Sequence, residues 1–383
     1  MLPFENSDPT AVLVGRVWRP GIGPALVKLE GNSVIDITSS EVPTMRDLLE
    51  RGDAVAHVRN ASGDVIGTLQ ELVSGSTPDA SEDQLHLLAP SDLQAVKASG
   101  VTFAESMVER VIEEKAAGDS DRAEAIRARV RAVIGDSLSG IVPGSPAAMK
   151  VKELLLTEGM WSQYLEVGIG PDAEVFTKAQ PMAAVGWGAC VGLHPISTWN
   201  NPEPEIVLAI NSRGQIVGAT LGNDVNLRDV EGRSALLLGK AKDNNASCAM
   251  GPFLRLFDGQ FTLDTIRAAE LSMKVTGEDG FTLDGRSSMK KISRDPASIV
   301  AQTIGAHHQY PDGFFLFLGT MFAPVKDRDA PGQGFTHHKG DKVEISEDHL
   351  GTLMNIVALS TECRPWQFGT GALMRNLAKR GLL

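Results

Sequence analysis

The spacing of apolar and polar residues predicts a chain rich in short β-strands. Near the amino terminus, apolar runs cover residues 11–17, 25–29 and 34–37, and Gly31-Asn32 marks a turn between the last two. After about residue 172 the chain alternates between short apolar runs and turns of Gly, Pro and Asn. We therefore predict small β structure at the start of the chain and a strand-rich body in its second half.

Three stretches show features of helices instead. Thr102-Phe-Ala-Glu105 matches the capping-box pattern, and Met107 and Val111 follow at helical spacing, so a helix is predicted to begin there. A second amphipathic helix is predicted over residues 122–134, and a shorter one over 44–50. The chain thus combines strands and helices, which predicts an α+β, β-rich fold.

The most apolar run in the chain, residues 313–325, predicts a buried strand. It is interrupted by Gly319, Thr320 and Pro324 and is too short to cross a bilayer. The net charge of −12 also argues against nucleic acid or an anionic membrane as the main partner. A small-molecule substrate remains compatible with this charge, because a bound cation can reverse the local sign.

Composition places the chain among ordinary globular proteins. Its 383 residues are 42% hydrophobic, which supports a sizeable core, and two domains are expected at this length. We predict a small α/β domain over residues 1–98 and a catalytic domain over 99–383. The 3 cysteines are far apart and the amino terminus lacks a signal-peptide pattern, so a cytoplasmic location is expected.

Three carboxylates near the middle of the chain suggest a metal site. Glu203 and Glu205 precede the apolar run 206–210, and Asp224 follows the apolar segment that returns after the turn at 211–214. This pattern predicts a β-hairpin, which brings Asp224 next to the two glutamates, while their spacing of two places them on one face. Oxygen ligands favour Mg²⁺, Mn²⁺ or Ca²⁺ over zinc. The alternative is that these acids form a solvated surface.

Other polar residues near these carboxylates are candidates for chemistry. Lys242 follows the carboxylates in sequence, Lys178 precedes them, and Arg228 and Asp229 come shortly after Asp224. A lysine close to a bound dication has a depressed pKa, so it can exchange protons near neutral pH. Taken singly, each of these residues is more often a surface charge.

The histidines and one cysteine are weaker candidates. His307 and His308 are adjacent in sequence, as are His337 and His338, and neighbouring residues rarely face one metal. The second pair lies in a polar, glycine-rich loop that could close over a site. Cys248 has no suitably spaced histidine or acid, so a buried apolar role is expected for it.

Together these motifs resemble the fumarylacetoacetate hydrolase superfamily. The matching elements, in chain order over about residues 100–356, are Glu203-x-Glu205, Gly-Asn-Asp-Val before Arg228-Asp229, a lysine ahead of Gly251-Pro252, Leu318-Gly-Thr320, Lys339-Gly-Asp341, and Leu350-Gly-Thr-Leu-Met-Asn355. The short interval between Glu205 and Asp224 is similar to the branch that contains 2-keto-3-deoxy-arabinonate dehydratase. The segment 104–172 and the tail after Asn355 are longer than this branch suggests.

The resemblance implies a fold, a cofactor and an oligomer. The fold would be a mixed β-sandwich roll with a smaller amino-terminal domain, and the protein would be a homodimer. Glu203, Glu205 and Asp224 would bind Mg²⁺, and Glu174 and Lys242 would form the acid–base pair. The residues in contact with the substrate would be Lys178, Arg228, Asp229 and Thr320.

The resemblance also implies a reaction on a 2-oxo acid. Chelation by the metal acidifies the protons at C3, a base removes one, and the metal stabilises the enolate. Loss of a C4 hydroxyl then gives a dehydratase of 2-keto-3-deoxy sugar acids, which would yield 2-oxoglutarate semialdehyde from a 2-keto-3-deoxypentonate. The alternatives are a C–C hydrolase of acylpyruvates or 2,4-diketo acids, a decarboxylase of an oxaloacetate-like acid, and a non-catalytic metal-binding protein. No histidine lies close to Glu174 in sequence, which favours dehydration over hydrolysis.

Overall fold

The computed structural model describes residues 3–4, 8–117, 119, 122–123, 126, 141–157, 159, 161–320, 322 and 324–383. Its strands are, in chain order, β1 (Leu13–Arg19), β2 (Gly23–Glu30), β3 (Ser33–Asp36), β4 (Asp64–Thr68), β5 (His86–Leu88), β6 (Ala95–Gly100), β7 (Glu174–Ala179), β8 (Cys190–Leu193), β9 (Pro204–Ile210), β10 (Ile216–Asp224), β11 (Cys248–Leu256), β12 (Glu270–Thr276), β13 (Thr282–Ser288), β14 (Phe314–Phe317), β15 (Lys342–Glu347) and β16 (Gly351–Leu359).

Helices occupy many of the connections between these strands, and one helix follows the last strand. In chain order they are α1 (Met45–Glu50), α2 (Ala54–Asn60), α3 (Leu69–Gly75), α4 (Ala104–Ala116), α5 (Pro146–Thr157), α6 (Gln163–Ile169), α7 (Arg228–Glu231), α8 (Leu238–Lys242), α9 (Leu263–Ala268), α10 (Pro296–Thr303) and α11 (Thr370–Lys379). No helix among the described residues is both long and apolar enough to cross a membrane.

The strands of the described residues form two sheets. The larger sheet has the order β4-β3-β2-β1-β11-β10-β9-β14-β6-β7, with β5 beside β1, and the smaller has the order β13-β12-β15-β16-β8. A hydrophobic core lies between the sheets and contains side chains from strands of both, such as Leu208 and Ile345. This architecture confirms the predicted α+β, β-rich class.

Strand β9 shows how the large sheet separates two cores. Ile206, Leu208 and Ile210 belong to the core between the sheets, whereas Val207 and Ala209 belong to a second core on the opposite face. This division follows from the alternation of side chains along a strand. Glu203, Glu205 and Val207 follow one another at intervals of two residues, so their side chains lie on the same face. The carboxylates therefore continue the face that carries the second core.

Most element predictions are confirmed, but one helix start is wrong. Strands occupy the three amino-terminal apolar runs, and Thr44 caps α1 with its side chain. Helix α4, however, has Phe103 as its N-cap, because the Thr102 hydroxyl donates instead to the Leu318 carbonyl. The helix predicted over 122–134 lies largely outside the described residues.

The amino-terminal strands share the large sheet with the rest of the chain. Strand β1 pairs antiparallel with β11, and β11 pairs with β10. The boundary predicted between residues 98 and 99 falls within β6. The division into 1–98 and 99–383 therefore stays a prediction.

Candidate metal centre and active site

The hairpin formed by β9 and β10 brings Glu203, Glu205 and Asp224 together. Glu205 pairs with Gly222, and the Asp224 amide donates to the Glu203 carbonyl at 3.0 Å. One carboxylate oxygen from each residue lies within 4.8 Å of the others. All three residues are at most 3% exposed, which is incompatible with the solvated-surface alternative.

Gly222 makes this convergence possible. A Cβ at this position would lie 2.2 Å from Cε1 of Phe317 and 2.5 Å from Cγ2 of Val207. The strand that faces Glu205 therefore presents no side chain at the paired position. The carboxylates of Glu203, Glu205 and Asp224 can thus point into one common space.

Each carboxylate has one oxygen that contacts a hydrogen-bond or ion-pair partner of its own. Nη2 of Arg110 lies 2.5 Å from Oε1 of Glu203, and Nζ of Lys178 lies 3.0 Å from Oδ1 of Asp224. The Gly319 amide donates to Oε2 of Glu205 at 2.7 Å. Such contacts fix the orientation of the carboxylates, as partners of metal ligands commonly do.

Lys242 contacts the remaining oxygens of two of these residues. Its Nζ donates to Oε2 of Glu203 at 2.5 Å and to Oδ2 of Asp224 at 3.2 Å. Burial alone lowers the pKa of Lys242, but Asp224 and Glu203 outweigh it, so the pKa is raised above its ordinary value. The depressed pKa predicted from the sequence applies to a lysine beside a bound dication, whereas this raised pKa is caused by the carboxylates.

Burial and neighbouring charges shift the pKa values of the triad carboxylates. Burial, followed by the neighbouring Asp224 and Glu203, raises the pKa of Glu205 well above its ordinary value. Burial also acts to raise the pKa of Asp224, but Lys178 and Lys242 hold it below its ordinary value. Buried acidic oxygens that repel one another form a donor set that fits a hard divalent cation such as Mg²⁺, Mn²⁺ or Ca²⁺.

Glu174 lies close enough to this cluster to interact with it electrostatically. It opens β7, and burial raises its pKa, while Arg110 and Lys242 oppose that shift. Lys242 lies over the ring of Phe176, with Nζ 5.9 Å from the ring centroid, and Lys178 Nζ donates to the Lys242 carbonyl. The predicted acid–base pair therefore lies beside the predicted metal ligands.

Three residues predicted to bind substrate make structural contacts. Arg228 is 2% exposed and donates to Glu113 at 2.6 Å, and Asp229 accepts from the Ser197 hydroxyl at 2.7 Å. The Thr320 hydroxyl donates to the Phe322 carbonyl at 3.3 Å. Their contacts with substrate, like that of Lys178, stay predictions.

Sequence reasoning missed a charged cluster, formed by Arg110, Glu113 and Glu231, that contacts the triad through Glu203. Arg110 contacts Glu113 and Glu231, each at 2.8 Å, in addition to Glu203. Burial raises the pKa of Glu231 to about 7. Arg110 follows Met107 by three positions and so lies on the apolar face of α4, which is the signal that could have identified it.

The side chains of the adjacent histidines His337 and His338 contact different partners. His337 is buried and its Nδ1 lies 3.0 Å from Oδ2 of Asp341, whereas Nε2 of His338 lies 2.9 Å from Asp329. The His337 amide donates to Oδ1 of Asn200 at 3.2 Å, and Asn200 precedes Glu203 by three residues in the sequence. His307 and His308 are exposed, and closure of the His337 loop over the site stays a prediction.

Cys248 is buried, and burial raises the pKa of its thiol to about 12. It lies on β11 and packs in the second core. This environment suits the apolar role expected for Cys248 and disfavours a nucleophile.

Comparison with known proteins identifies the family of this chain. A family model for the fumarylacetoacetate (FAA) hydrolase C-terminal domain matches residues 167–358. The chain belongs to this family. The match includes Glu203, Glu205, Asp224, Glu174 and Lys242, whereas Arg110 lies outside it.

Two relatives are dehydratases by name. The chain is 30% identical over 187 residues to 2-dehydro-3-deoxy-D-arabinonate dehydratase of Saccharolobus solfataricus, a match covering 48% of this chain and 58% of that protein. It is 30% identical over 198 residues to a probable 2-keto-3-deoxyxylonate dehydratase of Haloferax volcanii, covering 52% and 64%. The chain thus spans less than two thirds of the length of each relative.

Solved structures share the fold over most of the chain. The apo form of 2-keto-3-deoxy-D-arabinonate dehydratase superposes with a TM-score of 0.63 at 20% identity, covering 91% of this chain and 99% of that chain. A structure of that dehydratase complexed with magnesium and 2,5-dioxopentanoate has a TM-score of 0.60 at 21% identity, with the same coverage. These superpositions confirm the fold that the resemblance implied.

Proposed function

We propose that this protein is a Mg²⁺-dependent dehydratase of 2-keto-3-deoxy sugar acids, converting a 2-keto-3-deoxypentonate into 2-oxoglutarate semialdehyde. The observation that carries this proposal is the buried triad of Glu203, Glu205 and Asp224 beside Lys242 and Glu174. The names of the two relatives support the reaction. The substrate and product classes follow from the same resemblance.

The triad would hold the cation. Bound there, Mg²⁺ would polarise the C2 carbonyl of a 2-oxo acid and stabilise negative charge on its oxygen. The magnesium present in the structurally similar dehydratase supports this cofactor. The three carboxylates supply the oxygen donors that Mg²⁺ prefers.

Glu174 is suited to remove a proton from C3. Burial raises its pKa, which brings its basicity closer to neutral pH than that of an exposed glutamate. Lys242 is suited to protonate the hydroxyl that leaves C4, because its ammonium group lies against the carboxylates that would hold the metal. Proton removal at C3 and protonation of the C4 hydroxyl together expel one water molecule and leave a C3=C4 double bond. Transfer of a proton from C5 to C3 and tautomerisation of the resulting C4=C5 enol then give 2-oxoglutarate semialdehyde.

The contacts of the described residues favour dehydration over C–C hydrolysis. A hydrolase needs a base that activates water, which this superfamily often builds from a histidine–glutamate pair. Among the described residues, no histidine hydrogen-bonds or ion-pairs with Glu174 or with a member of the triad. Arg110, Lys178 and Lys242 are the cationic side chains that contact Glu203 and Asp224.

A turnover screen with Mg²⁺ tests the proposal. The substrates are 2-keto-3-deoxy-pentonates, 2-keto-3-deoxy-rhamnonate, acylpyruvates and oxaloacetate. Formation of 2-oxoglutarate semialdehyde from a ketodeoxypentonate is the expected result. Release of pyruvate from an acylpyruvate would establish the hydrolase instead, and no turnover with Mg²⁺ bound would favour a non-catalytic metal-binding protein.

Substitution of the acid–base pair tests the assigned residues. Glu174→Gln and Lys242→Met are each expected to lower kcat by at least ~100-fold, the lower end of the range for a lost general acid or base. Lys240→Met is the matched control, because Lys240 is exposed and on the same helix as Lys242. Near wild-type turnover by either variant would overturn the assignment.

The assembly and location are further parts of the proposal. A homodimer is supported by the family to which the chain belongs, and sedimentation equilibrium of the purified protein would measure the mass. A cytoplasmic location is supported by the free thiols of Cys190, Cys248 and Cys363. Cell fractionation with an antibody against this chain would test it.

A further inference from the structure

We propose that Arg110 is a positioning residue that orients Glu203 for metal binding. This inference rests on the metal site in the proposed function and adds a residue that lies outside the family match at 167–358. The contact that carries it is the 2.5 Å distance between Nη2 of Arg110 and Oε1 of Glu203. The other oxygen of Glu203, Oε2, accepts from Nζ of Lys242, which also donates to Oδ2 of Asp224.

The Arg110 guanidinium is itself held rigidly. Its Nη1 is shared between Oε2 of Glu113 and Oε2 of Glu231, each at 2.8 Å, while Nη2 contacts Glu203. Its side chain is 11% exposed, and those of its three partners are at most 6% exposed. A planar group with several fixed donors suits a bridge among three carboxylates, which a single ammonium cannot reproduce.

The helix that carries Arg110 is anchored to the body of the protein. Met107, Val111 and Ile112 of α4 are buried in a third hydrophobic core with residues of α5 and α6. Glu113, one turn after Arg110, also accepts from Nε of Arg228 at 2.6 Å. This arrangement links Glu203, Arg110, Glu113 and Arg228 as alternating charges between α4 and the hairpin.

Arg110 affects metal affinity in two opposite ways, through its positive charge and through its contact with Glu203. The positive charge of Arg110 repels a dication, so its removal alone would tighten metal binding. Removal of the contact frees the Glu203 carboxylate to rotate or to turn fully towards Lys242, which weakens metal binding. The sign of the measured change therefore separates a positioning role from a purely electrostatic one.

The test measures Mg²⁺ affinity of the full chain by isothermal titration calorimetry. Arg110→Met is expected to bind Mg²⁺ at least ~10-fold more weakly than the wild type, the usual loss when a partner of a metal ligand is removed. Arg110→Lys is expected to fall between the two, because it keeps the charge and one donor. Equal or tighter binding by folded Arg110→Met would overturn the proposal, as would a wild type that binds no Mg²⁺.

A second variant, Glu231→Gln, keeps the proposal testable if Arg110→Met does not fold. Glu231→Gln leaves Arg110 in place but removes one of its anchoring charges, and it is expected to weaken Mg²⁺ binding by a smaller factor. Arg46→Met is the control for loss of an arginine, because Arg46 is partly exposed and contacts Asp47 and Asp312. Unchanged Mg²⁺ affinity in both Arg110→Lys and Glu231→Gln would also contradict the proposal.

Turnover separates this inference from the proposed reaction. In Arg110→Lys the Mg²⁺ concentration for half-maximal activity should rise with the dissociation constant, while kcat at saturating Mg²⁺ stays within ~3-fold of wild type. A wild type that binds Mg²⁺ but dehydrates no ketodeoxy acid would refute the proposed reaction and leave the role of Arg110 intact. A kcat that does not recover at saturating Mg²⁺ would contradict positioning of the metal ligand as its role.

Discussion

Gly100 lies directly opposite Glu174 in the antiparallel pairing of β6 and β7. A Cβ on Gly100 would come within 2.0 Å of Oε2 of Glu174. The absence of a side chain at residue 100 therefore defines where the glutamate can lie. This pairing places the proposed base at the edge of the large sheet, next to the amino-terminal end of α4.

Substitution of this glycine should displace the base without removing it. Gly100→Ala is expected to lower kcat by at least ~10-fold, because misplacement by about 1 Å is enough to impair proton transfer. Mg²⁺ affinity should remain near wild type, since Gly100 contacts none of the triad. Steady-state kinetics and calorimetry would measure the two quantities.

The control for this substitution is Gly259→Ala. A Cβ at Gly259 meets nothing within 4 Å, and the residue is exposed. This variant should keep wild-type kcat. Wild-type kcat in Gly100→Ala would show that the position of Glu174 does not limit the reaction.

Metal removal should abolish turnover while the protein stays folded. Lys242, Lys178 and Arg110 already contact the triad, so the buried carboxylates keep counter-charges after chelation. Exhaustive treatment with EDTA is expected to eliminate activity and leave the circular dichroism spectrum unchanged, and added Mg²⁺ or Mn²⁺ should restore activity. Full activity after chelation would rule out the metal assignment.

Binding of Mg²⁺ should also stabilise the fold through the triad. Free Mg²⁺ at 100 times its dissociation constant raises the free energy of unfolding by about 2.7 kcal/mol, provided that the unfolded chain does not bind it. Asp224→Asn is expected to lose this Mg²⁺-dependent stabilisation, which thermal denaturation with and without Mg²⁺ would detect. An equal Mg²⁺ effect in the wild type and in Asp224→Asn would place the ion elsewhere.

His337 should make stability depend on pH below neutrality. Burial lowers its pKa below the ordinary 6.5; Arg328 and His338 act in the same direction, and Asp341 opposes them. As pH falls through 6.5, the unfolded chain binds a proton that folded His337 does not, so the free energy of unfolding decreases. The slope is at most about 1.4 kcal/mol per pH unit and is lost in His337→Gln.

Urea unfolding of the wild type and His337→Gln between pH 7.5 and 5.5 measures this slope. His308→Gln serves as the control, because His308 is exposed. Its pH dependence should match that of the wild type. A wild-type slope retained in His337→Gln would assign the pH dependence to another group.

The space around Gly222 should tolerate no added methyl group. Gly222→Ala is expected to lower the free energy of unfolding by about 1–3 kcal/mol, the usual effect of overpacking. Phe317→Leu in the same chain should recover part of this loss, because Cε1 of Phe317 is the nearest atom to the new Cβ. Additive losses in the double variant would show that the two positions do not compete for space.

The hairpin and its carboxylates were predictable because local patterns determine them. Apolar segments on either side of a turn defined β9 and β10, and the spacing of Glu203 and Glu205 defined their common face. The turn between the strands then placed Asp224 beside them. These features depend on residues close in sequence, so no knowledge of tertiary packing was needed.

The features that sequence reasoning missed depend on distant contacts. Arg110 reaches Glu203 from a helix 93 residues earlier in the chain, and its role follows from how α4 packs on the hairpin. Thr102 matched a helix cap, yet the Leu318 carbonyl is its actual partner. In both cases an apparently local residue forms its decisive contact with a part of the fold that the local pattern does not describe.

The pairing of β1 with β11 has a consequence for sequence change in this protein. Strand β11 lies between β1 and β10, so one strand separates the first strand of the chain from the strand that ends at Asp224. A substitution that shifts the register of β1 acts on the hydrogen bonds of β11 and, through them, on the proposed metal site. The amino-terminal segment and the catalytic residues are therefore expected to coevolve, and exchange of that segment between relatives would require compensating changes in β11.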